Sequence, residues 1–315
     1  MSALLIATAL AAAAPAAPVE RQLTAPGPLA PLSGTMLDAG KSAPVVVIIP
    51  GSGPTDRDGN SPLGITAAAY RLLAEGLAKR GVTTVRIDKR GMFGSKAALA
   101  NGNDVTIAAY AADAHAWAKA ARTATGAKCV WLLGHSEGSL VALAAAQDPR
   151  DLCGVVSVSG MGRKSGDVIR DQLKSNPGNA SILAPALATL DSLEKGQRVD
   201  SRTLPAPLQS LFGDSVQPYL MNLMAQDPAR LAATLKLPLL IVQGDRDLQV
   251  KVIDANALAA AQPKAKLVIL PAVNHVLKIV ASDSPAANFA TYGDPSLPIA
   301  PGVVDAIANF VGKLR

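Results

Sequence analysis

The sequence predicts an α/β fold in which a mostly parallel central sheet is flanked by helices and interrupted by one helical insertion. Three observations predict it. Short apolar runs alternate with amphipathic stretches of helical period, the order expected of βαβ units. The runs are apolar almost throughout instead of alternating, so helices must cover both faces of the strands. A chain of 315 residues, 49% hydrophobic and 17% charged, can bury one large core plus a modest insertion.

Residues 1–18, "MSALLIATALAAAAPAAP", form an apolar run that ends in small residues and proline, as a secretory signal does before cleavage. Ala14-Pro15-Ala16 offers an A-x-A site, although the run lacks a positively charged start. It is too short and alanine-rich to span a membrane, and no cysteine near the cleavage site offers a lipid anchor, so no stable membrane anchoring is expected. The expected location is secreted or periplasmic, or cytoplasmic if the leader is not a signal. Residues 21–42 are rich in proline and glycine with short alternation, which suits an antiparallel edge hairpin. Parallel strands follow in "PVVVIIPG" (44–51), "TTVRIDKRG" (83–91), "CVWLLG" from Cys129 and "CGVVSVSG" from Cys153, with helices over 67–80, 107–123 and 140–147. From 161 to 237 the helical period is broken by prolines and glycines, and no buried strand appears. The chain thus divides into a core, 19–160 and 238–315, and a helical lid, 161–237. The core resumes with "PLLIVQGD" (238–245), a helix over 252–261, "AKLVILP" (265–271) and a last helix over 303–314.

The net charge of +6 comes from scattered lysines and arginines, and aromatics are only 3% of residues. No stripe alternates basic residues with stacking rings, so nucleic acid is not an expected partner. Cys129 and Cys153 are the only cysteines. On neighbouring parallel strands they lie side by side and could pair in an oxidising compartment, but disulfide geometry is demanding and buried free cysteines are common, so free thiols are the favoured of the two expectations. His115, His135 and His275 are the only histidines, and none has ligand spacing with either cysteine, so no metal is expected.

Ser136 stands in Gly134-His135-Ser136-Glu137-Gly138, where a strand runs into a helix without an intervening loop. A helix-capping serine is the plainer reading. A nucleophile is the sharper one, because such a junction strains the serine backbone and lifts its hydroxyl into the open, while the glycines admit neighbouring backbone. A hydroxyl needs a base to take its proton, and that base needs a carboxylate to orient it. His115 lies within a helix, and the side chain of His135 should point away from the attacking oxygen. His275, four residues beyond the last strand, is the well-placed base. Asp247, on a turn that can swing toward His275, is assigned as the acid, and Asp245 is left with turn duty. Oxyanion donors should be the backbone N–H of Glu137 and one from the glycine-rich loop after "VVVIIP", from Ser52 or alternatively Gly53.

Five segments, "GSGPTDRDG" (51–59), "DKRGMFGS" (88–95), "GHSEG" (134–138), "GDRD" (244–247) and "NHVLK" (274–278), together resemble the α/β-hydrolase superfamily. The likeness is to its bacterial carboxylesterases and serine aminopeptidase-like (S33) members with a GSGPxDRDG loop. The resemblance implies the α/β-hydrolase fold and a serine carboxylesterase that cleaves small-molecule esters of short to medium acyl chains, without a cofactor. One alternative is a serine peptidase or amidase, with Asp56, Asp58 or Glu137 gripping a free N-terminus. Another is a non-catalytic binding protein of the same fold, which normally accompanies a broken triad. The lid segment "LQSLFGDSVQPYLMNLM" (208–224) carries an apolar stripe that suits either the lid's own core or an acyl pocket. Phe212, Tyr219 and Met224, with Met92 and Phe93 from the neighbouring loop, are the expected pocket residues, and the flexible methionines suit several acyl groups.

Overall fold

The computed structural model describes residues 19–313; the predicted leader lies outside them. Eight strands, β1 (Val19–Ala25), β2 (Leu32–Asp38), β3 (Val45–Ile49), β4 (Thr83–Ile87), β5 (Val130–His135), β6 (Leu152–Val158), β7 (Leu239–Gly244) and β8 (Lys266–Leu270), form one sheet in the order β1-β2-β4-β3-β5-β6-β7-β8. The β1–β2 hairpin and the β2–β4 pairing are antiparallel. All other pairings are parallel. Central strands β3, β5 and β7 are buried at every position, as their continuous apolar sequences require. The outermost strands depart from that rule: most of β1 is exposed, and β8 is only partly covered.

Helices Ile107–Thr125, Glu137–Ala145 and Val252–Ala261 bury apolar side chains on one face, in a cluster that includes Trp117, Leu140 and Leu258. Helices Ala69–Lys79 and Pro301–Lys313 cover the other face through Leu73, Leu77, Val303 and Ile307. Local chemistry fixes the long helix after β4. The Thr106 hydroxyl accepts from the Ala109 N–H at its start, and Gly126, at φ 75°, ends it in the left-handed conformation.

From β3 the chain steps to β4 on one side and later to β5 on the other. Ligand crevices form beyond the carboxyl ends of strands where the order reverses in this way.

Between β6 and β7 the regular structure is all helical, with helices Ser165–Ser175, Leu183–Glu194, Ala206–Leu211, Gln217–Met224 and Pro228–Ala233 and two short 3₁₀ turns. It builds an apolar cluster of its own around Leu190, Leu193, Phe212 and Met224. Its entry is pinned by buried Asp254, whose Oδ1 accepts from the N–H groups of Gly162 and Arg163 while the Arg163 guanidinium closes on both carboxylate oxygens. Three of these helices also reach the main core, through Val168, Leu223 and Ala232.

Contrary to the expectation of free thiols, Cys129 and Cys153 form a disulfide. Parallel pairing of β5 with β6 brings their Cα atoms to 5.2 Å, inside the range that the bond requires. Among the described residues no helix is long and apolar enough to cross a membrane.

Candidate active site

Ser136 joins β5 directly to the following helix and adopts φ 55°, ψ −121°, a backbone conformation that costs energy for any residue with a side chain. Its N–H donates to the Val158 carbonyl, and its own carbonyl accepts from Ser139. The two flanking glycines are required sterically. A Cβ on Gly134 would lie 2.0 Å from the Gly138 carbonyl oxygen, and one on Gly138 would lie 2.3 Å from that of Ile49. The end of β3 therefore packs directly under the serine turn.

Asp247 and His275, from the turns after β7 and β8, are brought together: His275 Nδ1 donates to Asp247 Oδ2 at 2.8 Å. That oxygen also accepts from Gln243 Nε2 at 3.2 Å, while Oδ1 accepts from the backbone N–H of Gln249 and Val250 at 2.8 and 2.9 Å. Burial by itself would raise the Asp247 carboxyl pKa, but the charge of the His275 ring and these hydrogen bonds outweigh it and hold the group below its usual value. Asp245 instead ties the turn after β8 by accepting from the Ala272 N–H at 2.7 Å.

The other histidines hold structure. His115 Nε2 meets the Ala145 carbonyl at 3.0 Å. His135 Nε2 lies 2.8 Å from the carbonyl of His275, so it carries the proton there, and its Nδ1 accepts from the Tyr70 hydroxyl at 2.9 Å. Burial, reinforced by the nearby His275, lowers the His135 pKa to about 3, so the ring is neutral at ordinary pH. The same Tyr70 oxygen accepts from the Gly51 N–H at 3.0 Å. One chain of hydrogen bonds thus links the loop after β3 to the backbone of His275.

That loop is stapled by the motif residues on either side of it. Arg57 binds Asp88 through its backbone N–H and its guanidinium, Arg86 pairs with Asp58, and Asp56 accepts from the N–H groups of Asp58 and Asn60. Gly51 abuts the serine, since a Cβ there would approach the Ser136 Cβ to 3.2 Å. Among the described residues, the N–H groups of Ser52, Gly53 and Glu137 donate to no other group of the chain.

A cavity of about 510 Å³ opens beside Ser136, walled by the loop after β3, the loop after β4 and the helical segment. Ser52, Gly53, Glu137, Met92 and Tyr219 line it. Phe93, Phe212 and Met224 do not. Phe93 is 41% exposed, while Phe212 and Met224 are buried in the segment's own cluster because that stripe faces neighbouring helices. Lys89 and Glu137 are the cation and the carboxylate of the lining, 3.4 Å apart and both buried. The sequence reading missed Tyr70, Lys89 and Gln243 as site residues. Their only signal was position: Lys89 and Gln243 stand at the carboxyl ends of strands.

A family model described as "Alpha/beta hydrolase family" matches residues 46–291. Esterase EstD of Thermotoga maritima is 27% identical over 277 residues, 86% of this chain; the chain spans 62% of that relative's length. Among solved structures, Est1E from Butyrivibrio proteoclasticus superposes with a TM-score of 0.57 at 16% identity, covering 93% of this chain and 98% of that one. The Pyrococcus furiosus esterase Pf2001 gives 0.56 at 20% identity, covering 82% and 84%.

Proposed function

Since the chain belongs to the alpha/beta hydrolase family, we propose that it is a serine hydrolase cleaving carboxylic esters through an acyl-Ser136 intermediate. The observation that carries this reading is the strained Ser136 turn, set beside a cavity and a buried Asp247–His275 pair. Ser136 Oγ attacks the ester carbonyl carbon as His275 Nε2 takes its proton, and the same nitrogen returns the proton to the departing alkoxide. Water then repeats the sequence on the acyl-serine and releases the acid. Asp247 fixes the His275 tautomer with the proton on Nδ1 and stabilises the imidazolium that forms. The N–H groups of Glu137 and Ser52 hold the oxyanion in both halves; each such donor is worth about 10²–10³ in kcat.

The cavity wall supplied by Met92, Val168, Ile169, Leu220 and Leu223 favours an apolar acyl group of four to six carbons. Each buried methylene adds about 0.8 kcal/mol, roughly fourfold in kcat/KM, so butyrate and hexanoate esters should outrun acetate. Aminopeptidase activity is less favoured. The carboxylate lining the cavity, Glu137, already faces Lys89, while Asp56 and Asp58 are engaged in the loop. We also infer export, which the disulfide supports because such bonds persist in oxidising compartments.

The test is a panel of p-nitrophenyl esters of increasing chain length run beside aminoacyl p-nitroanilides, with a fluorophosphonate as site label. Ester turnover peaking at four to six carbons, with label on Ser136, is the expected result. Faster turnover of the anilides, or label on another serine with Ser136 untouched, would overturn it.

A further inference from the structure

The peptide between Gly51 and Ser52 lies in a loop, outside any helix or strand ladder, yet Gly51 is held on both sides of its Cα, at the carbonyl of that peptide and at the N–H of the peptide before it. The Lys89 ammonium donates to the Gly51 carbonyl at 2.6 Å, and the Tyr70 hydroxyl accepts from the Gly51 N–H at 3.0 Å. No cis peptide occurs among the described residues. In a trans peptide the carbonyl and the following N–H point in opposite directions, so a fixed Gly51 oxygen fixes where the Ser52 N–H points. A peptide in a glycine-rich turn can rotate as a unit, and the rotated form would present a carbonyl dipole where the N–H had been. Facing a developing oxyanion, that dipole repels instead of stabilising.

Lys89 is an expensive way to hold a loop if the loop needs only stability. Its side chain is 3% exposed and that of its partner Glu137 is 2%, and a buried ion pair often stabilises a fold less than apolar residues of the same volume. Lys89 also lies 5.5 Å from the centre of the Tyr110 ring, which packs edge-on to Tyr219 of the helical segment. Glu137 supplies the remaining link, because the residue whose carboxylate faces Lys89 also carries the other free N–H beside Ser136.

We propose that Lys89 is a positioning residue for the oxyanion hole: by gripping the Gly51 carbonyl it locks the Gly51–Ser52 peptide with its N–H toward the reacting oxygen, and Glu137 holds the ammonium in place. This rests on the serine-esterase reading above. Lys89 touches the loop and need not touch the substrate, so its effect belongs in kcat.

Two variants separate this role from a merely structural one. Lys89→Met removes the donor and leaves Glu137 stranded; Lys89→Met/Glu137→Gln removes the stranded charge as well. Both are compared with the wild type for p-nitrophenyl butyrate hydrolysis, thermal unfolding, and inhibition by an alkyl trifluoromethyl ketone, which adds to the serine as a tetrahedral oxyanion. In Lys89→Met, kcat should fall about 100-fold, the lower end for one oxyanion donor. KM should change by less than about threefold, and the ketone inhibition constant should rise by a factor similar to the loss in kcat, as expected for an interaction made in the transition state. The double variant should regain stability without regaining kcat. If it regains wild-type kcat, the stranded carboxylate caused the loss and the proposal fails. It fails equally if a folded Lys89→Met variant keeps wild-type kcat, or if KM rises while kcat holds. A wild type inactive on every ester refutes the esterase reading itself, a result distinct from all of these.

Discussion

Replacing Asp247 with asparagine exchanges one carboxylate oxygen for an amide nitrogen and alters almost nothing in shape. The surroundings decide which way the amide must sit. Two backbone donors, the N–H groups of Gln249 and Val250, claim Oδ1, while the side-chain donors of His275 and Gln243 claim Oδ2. The amide oxygen therefore takes the Oδ1 place, and the NH₂ falls where Oδ2 was, donor against donor. The side chain is 0% exposed, so no bulk water relieves the conflict. His275 escapes by accepting at Nδ1, which moves its proton to Nε2. The nitrogen assigned to receive the Ser136 proton is then already occupied, and the imidazolium loses its counter-charge. A base locked in this tautomer costs about 10⁴ in kcat, or about 5.4 kcal/mol of transition-state stabilisation. Steady-state hydrolysis of p-nitrophenyl butyrate, with folding checked by circular dichroism, measures the loss. Asp245→Asn is the internal comparison: an amide oxygen can still accept from Ala272, so kcat should stay within about threefold of wild type. An Asp247→Asn variant within tenfold of wild type, or a larger loss from Asp245→Asn, would refute the tautomer reasoning.

Removing the disulfide with Cys129→Ser/Cys153→Ser frees a loop of sequence separation 24 and should cost about 3.5 kcal/mol of stability on the chain-entropy estimate. Denaturant unfolding reads that cost; kcat should hold within about twofold, because the bond closes the end of β5 opposite Ser136. Intact mass of protein from the native host should begin near Ala17 and lack the two thiol hydrogens; an unprocessed chain or free thiols contradicts export. His135 imposes a pH dependence whose sign is fixed. The unfolded ring binds a proton below about 6.5 and the folded ring only below about 3, so stability falls by about 1.4 kcal/mol per unit as pH drops through that window. His135→Gln should flatten the urea-midpoint slope between pH 4.5 and 6 by one proton's worth, and an unchanged slope rules the buried neutral ring out.

Strand periodicity and glycine placement made the sheet legible in the sequence. The crowding of Gly134 and Gly138 against β3 is a local consequence of a strand running straight into a helix. Asp247 and Asp245 could be told apart because a turn's reach depends on spacing alone. The hydroxyl of Tyr70 could not be placed, since its partners come from β5 and from the loop after β3, and a helical period reports only that the ring faces inward. Phe212 and Met224 failed as pocket residues for a related reason: a stripe shows which side chains share a helix face, not which of two apolar surfaces receives it. The disulfide turned on the register of β5 against β6, which strand composition does not encode.

The private core of the helical segment bears on how the chain could diversify. Leu190, Leu193 and Phe212 share one cluster away from the cavity beside Ser136, so substitutions among them act on the segment's folding. Tyr219 and Leu223 face the cavity, so changes there act on what enters it. A directed-evolution campaign therefore has two nearly orthogonal libraries: one at the wall to shift acyl preference, and one within the cluster to restore stability lost on the way. Leu173 and Leu220 belong to both surfaces. They are the positions where epistasis between the libraries should concentrate, and the ones to randomise last.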